Sequence, residues 1–207
     1  MRSFGVALLA LVLLGGSLGA SEEYLIRGER GAAVEFIGEK NSKALKELLM
    51  SNLKKEIKNH GLEGAVEFCS KNAIGLTDMI SERAGEGVRL KRVSEQYRNP
   101  ANKPDHADAF AYTYFEKYLK KEGHYPQNFV LRMRHKMNKD IEIFRYFEPL
   151  YIQEACLKCH GEKVDPKVKA KIKELYPDDK ATGYKLGDLR GFVAVEVTLD
   201  ALKKEDK

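Results

Sequence analysis

The run Cys156-Leu157-Lys158-Cys159-His160 constrains this chain more than any other feature. It is a C-x-x-C-H pattern, the attachment signature of haem c. Two thiols at this spacing reach the two vinyl groups of a porphyrin and form two thioether bonds. The histidine that follows meets the iron from the same side, and a proximal histidine is one standard way for protein to hold haem iron. Other uses of such a pair fit less well. A thioredoxin-like dithiol belongs in a βαβ setting, which the flanking residues lack. A zinc site would need a second cysteine pair, and the chain has only 3 cysteines. The pattern therefore predicts one haem c, held covalently through Cys156 and Cys159 with His160 on the metal.

Haem c is attached outside the cytoplasm, and the N-terminus agrees independently. Arg2 is followed by an apolar run over residues 4–14 and then by Gly15, Gly16, Ser17, Gly19 and Ala20, all small. That order is a secretory signal. The run is shorter than the roughly 20 residues that span a bilayer. Residues 1–20 are thus expected to be a signal peptide and the mature protein periplasmic, with the membrane involved only if the segment stays as an uncleaved anchor. Residues 21–40 read as a glycine-rich lead-in, and 41–207 as one haem c domain. The chain's 207 residues, 43% hydrophobic and 32% charged, suffice for one globular core. The net charge of +5 is spread along the chain and gives no reason to expect nucleic acid as a partner.

Leu45, Leu48, Leu49, Leu53 and Ile57 recur at helical spacing, predicting a helix over 41–60 that stops at Gly61. Leu62, Ala65, Val66, Cys69, Ala73 and Leu76 form the stripe of a second helix, so Cys69 faces inward. Residues 88–94 read as a strand, 99–104 as a turn, and Asp105 caps a third helix to about Lys121. Strands follow over 129–133, 141–152 and 191–198, with a short basic helix over 165–176. Helices first and strands later imply an α+β domain with an antiparallel sheet rather than βαβ units.

The residues alone leave the sixth iron ligand open. Met133 and Met137 offer thioethers, His60, His106, His124 and His135 offer imidazoles, and Cys69 offers a thiolate. Each has an ordinary use too: methionines fill cores, His135 lies between Arg134 and Lys136, and Cys69 can be an inert buried thiol. The choice matters, because Met/His ligation raises the potential and suits electron carriers. A thiolate stabilises ferric iron and lowers the potential.

Further segments carry a resemblance. They are Arg98-Asn99-Pro100-Ala101-Asn102-Lys103-Pro104, Arg145-Tyr146-Phe147-Glu148-Pro149-Leu150, Tyr176-Pro177-Asp178-Asp179-Lys180-Ala181-Thr182-Gly183-Tyr184 and Gly187-Asp188-Leu189-Arg190-Gly191. With the haem motif, they resemble the exported single-haem c family catalogued as a domain of unknown function. That family also forms the extracytoplasmic input domain of bacterial sensor kinases and chemoreceptors. The resemblance implies a PAS-like fold with N-terminal helices packed on an antiparallel sheet. It also implies His/Cys axial ligation, with His160 proximal and Cys69 distal. Arg98, Lys103 and Arg190 are then candidates to pair with haem propionates, since guanidinium suits bidentate carboxylate contact, and Asp188 with Arg190 a candidate structural pair. The expected function is redox or diatomic-gas sensing with a signalling or redox partner protein. Simple electron transfer is the alternative. An enzymatic role would need an open sixth position, with His106 or His135 as distal acid or base.

Overall fold

Phe192, Ala194 and Glu196 alternate along the last strand with Val193, Val195 and Val197, and that alternation builds both layers of the fold. The computed structural model describes residues 25–26, 28–134 and 142–205. The expected signal segment, His135 and Met137 lie outside the described residues.

Four strands form one antiparallel sheet: β1 (Val88–Val93), β2 (Phe129–Arg134), β3 (Glu142–Tyr151) and β4 (Leu189–Thr198), in the order β1-β4-β3-β2. The expected α+β class and antiparallel sheet are present. One face carries Leu90, Val130, Phe144, Tyr146, Val193, Val195 and Val197, packed on Val34, Ile37, Leu45 and Ile80 of helix α1 (Gly28–Ala84). The other carries Val93, Phe129, Leu131, Phe147, Phe192 and Ala194, packed on Ala111, Tyr112 and Phe115 of helix α2 (His106–Glu122). Each large apolar side chain so enclosed contributes about 1.5–3 kcal/mol.

Helix α1 breaks where expected, at Gly61, whose φ of 71° and ψ of −171° leave the helical region. It starts earlier than expected, however. Residues 28–40 are helical and pack on the sheet, with Val34 and Ile37 buried, rather than forming a loose lead-in. The reason is contact: Gly38 lies against the Tyr146 ring, where a Cβ would collide. Here glycine permits close packing instead of ending a helix.

Asp105 caps α2 as expected. Its carboxylate accepts from the Asp108 N–H, and Asp108 returns the bond to the Asp105 N–H, both at 2.9 Å. Helix α3 (Leu157–His160) is a single turn, α4 (Pro166–Leu175) is capped by Asp165, and α5 (Leu199–Glu205) ends the described chain. The expected Asp188–Arg190 pair is not formed. Asp188 instead accepts from the Lys185 N–H at 2.7 Å, closing its own turn, while Arg190 reaches toward Ser94.

Gly191 has a φ of 149°, and a Cβ there would overlap the Val93 carbonyl. Gly191→Ala is expected to cost about 3 kcal/mol through backbone strain and overpacking, read as a lowered urea midpoint with an unchanged m-value.

Candidate functional site

The C-x-x-C-H residues sit where β3 runs out. Cys156 closes a 3-10 turn over Glu154–Cys156, and Leu157–His160 add the single turn of α3. The turn is anchored at its start, because the Ile152 N–H donates to Asp188 O and the Gly187 N–H to Ile152 O, both at 2.9 Å. Cys156 and Leu157 pack beside Ile152, Ala181 and Tyr184. Cys159 packs on the opposite side, with Leu62 and Val66 of α1 and Val168, Ile172 and Tyr176. The two sulfurs therefore share one turn, with Cys159 toward the half of α1 that carries Cys69.

The 179–184 loop fixes His160. Its Nδ1 lies 2.7 Å from Ala181 O, and the Tyr184 N–H donates to His160 O at 3.0 Å. A carbonyl can only accept, so Nδ1 carries the proton and Nε2 keeps a free lone pair. Burial, with Arg98 and Arg190 nearby, pulls the imidazole pKa down from 6.5 to about 3. The ring is neutral at physiological pH, the state that binds a metal, and its second nitrogen is already oriented by a backbone acceptor.

Arg98 supports that loop. It donates to Asp179 Oδ1 at 2.9 Å, to Cys159 O at 2.7 Å and to Ala181 O at 3.2 Å. Its guanidinium thus ties the haem-motif turn to the loop beneath His160. Arg190 donates to Ser94 Oγ at 2.5 Å and Gln96 O at 3.0 Å, and its guanidinium lies 5.5 Å from the Tyr184 ring centroid. Lys103 is exposed at the end of the 100–102 turn and takes no part in these bonds.

The other candidate iron ligands are dispersed. His60 is bonded to Glu56 on the exposed side of α1. His106 is exposed at the first turn of α2, and His124 is exposed beside Tyr118. Met133 lies on β2, the edge strand farthest from β1. Cys69 is half-buried on α1, within electrostatic reach of Cys159, Arg92 and Arg98. Burial pushes its thiol upward, and the two guanidiniums oppose that shift.

Arg92 did not stand out in the sequence. Its Nε is the one buried side-chain nitrogen or oxygen without a hydrogen-bond partner among the described residues. A signal existed: Arg92 follows Val88 and Leu90 at strand spacing, which places a cation on the apolar face of β1.

These features define an α+β domain built around a preset thiol–imidazole turn. The chain belongs to the Tll0287-like family, whose model matches residues 30–198. Among solved structures it is similar to the crystal structure of the cyanobacterial heme-protein Tll0287, with 26% identity over 76% of this chain and 96% of that one and a TM-score of 0.50. No curated protein matches it.

Proposed function

We propose that this chain is an extracytoplasmic single-haem c protein that senses redox state or a diatomic gas. One observation carries the haem assignment: His160, directly after the two cysteines, is neutral and held by Ala181 with Nε2 free. The donor set fits the group. Cys156 and Cys159 supply the thioether sulfurs on one turn, and Arg92 carries a buried Nε without a hydrogen-bond partner. When bound, the haem supplies a one-electron couple and a site for small neutral ligands. The family membership and the haem-protein named among its relatives support this reading. The antiparallel sheet with helices on both faces supports a PAS-like description, and the N-terminal signal pattern supports export to the periplasm.

Cys69 is the proposed distal ligand. It faces the haem-motif turn, and the alternative histidines that are described lie on exposed surfaces elsewhere. It also lies on α1 beyond the break at Gly61, where a Cβ would meet open space. A Cys69 sulfur holding the metal would tie that half of α1 to the haem-motif turn, so that a change in this hold would be passed by contact to a partner protein.

The test is the purified holoprotein made with a haem c maturation system. A mass increased by one haem, a low-spin ferric thiolate spectrum and a large change in Cys69→Ser support the reading. A methionine-type far-red band with an unchanged Cys69→Ser spectrum, a positive potential and fast exchange with a cytochrome would instead indicate a simple electron carrier. A colourless product with the mass of bare polypeptide would remove the haem assignment.

A further inference from the structure

The charges around the site do not balance within the polypeptide. Arg92, Arg98 and Arg190 lie within electrostatic reach of one another along the chain Arg92–Arg190–Arg98. The carboxylate bonded within this group is Asp179, and Arg98 holds it. His160 is neutral. Three guanidiniums and one carboxylate leave two positive charges beside the haem-motif turn. Buried charges persist when paired, and an uncompensated one is costly. A thiolate bound to ferric porphyrin does not supply the balance, since its negative charge is offset by the iron. What remains on the porphyrin is its two propionates.

Geometry selects which arginines take them. Arg98 commits its Nε and Nη2 to Asp179 and two carbonyls. Arg92 and Arg190 flank the same end of the β1–β4 pair, where Arg92 stands opposite Val193 and Arg190 lies three residues back along β4. Arg92 is on the Cys69 side and Arg190 on the His160 side. A haem held by Cys156, Cys159 and His160 would bring carboxylates that these two guanidiniums could take. Of the three guanidiniums, that of Arg92 alone has a buried, unmet N–H.

We infer that Arg92 is the principal carboxylate anchor of the site, clamping one haem propionate while Arg190 takes the other, and that Arg98 and Lys103 do not. The inference rests on the haem reading above. Guanidinium–carboxylate contacts are short and often bidentate, so the clamp fixes the plane of the ring as well as its charge.

Resonance Raman and electron paramagnetic spectra of ferric holoprotein test it. Arg92→Gln should lower the frequency of a propionate bending band, which rises with hydrogen bonding, and leave the axial-ligand g-values in place. Arg92→Lys, which keeps the charge but not the fork, should give an intermediate shift. Arg89→Gln removes the same charge from an exposed site on the same strand and should leave the band unmoved. Should Arg92→Gln not accumulate, the Arg92→Lys comparison decides alone. An unmoved propionate band in the Arg92 variants overturns the inference. So does a change confined to the g-values, which would put the guanidinium on the thiolate. A wild-type protein without haem would overturn the underlying haem reading, an outcome plainly distinct from either.

Discussion

Arg145→Met is expected to destabilise the protein by about 3–5 kcal/mol, the scale of breaking a buried ion network from one side. Arg145 stands directly opposite Glu196 across the β3–β4 pair and donates to it at 2.6 Å. It also donates to Asp105 at 2.9 Å and to Asp108 at 2.8 Å. Asp108 is fully buried, and Lys91 of β1 donates to its other oxygen at 2.5 Å. One guanidinium therefore joins the centre of the sheet to the capping box of α2. Methionine fills similar space but leaves Asp108 and Glu196 under-compensated, and Lys91 can answer only part of that charge. The double variant Arg145→Met/Asp108→Asn should recover part of the loss, because it removes a buried charge instead of stranding it. Urea midpoints of the three proteins at neutral pH check this. Equal midpoints for wild type and Arg145→Met would mean that the network is solvated and contributes nothing.

The network shows what could and could not be read from sequence. Asp105 as a helix cap follows from residue type and position, because capping is local. The break at Gly61 and the haem-motif turn are legible for the same reason. Strand bounds agree to within two residues where alternation is clean, as in Val193, Val195 and Val197. Features that depend on distant partners were not legible. Gly38 suggests a flexible segment until Tyr146 is seen against it. Arg98 is a candidate carboxylate partner by residue type, and only the folded 179–181 loop shows that its Nε and Nη2 bond Asp179 and Ala181 O. Arg92 looks like an ordinary strand cation until its Nε is seen buried without a hydrogen-bond partner. In each case the sequence supplies the chemical group, and topology decides what that group meets.

His160 supplies the second large effect, and its sign follows from the proton count. In the unfolded chain this imidazole titrates near 6.5, whereas burial and the adjacent arginines hold it to about 3 in the fold. Between those values the unfolded state binds more protons, so stability rises with pH across that window. Above 6.5 both states are neutral there, and the group makes no pH-dependent contribution. As pH falls from 6.5 toward 3, the cofactor-free protein should lose on the order of 4 kcal/mol through this one residue, at about 1.4 kcal/mol per pH unit with an allowance for partial solvent contact. His160→Asn keeps an N–H donor toward Ala181 O but cannot titrate, so its stability should vary less with pH over the same range. Urea unfolding of both cofactor-free proteins from neutral pH into acid isolates the difference, since carboxylate effects such as those at Asp105 are common to the two. Coordination of Nε2 should flatten the profile in the same way, because a metal-bound imidazole has no site left to protonate. Parallel profiles for wild type and His160→Asn would mean that His160 is solvated in the folded chain, and its preset role as a ligand would fall with it.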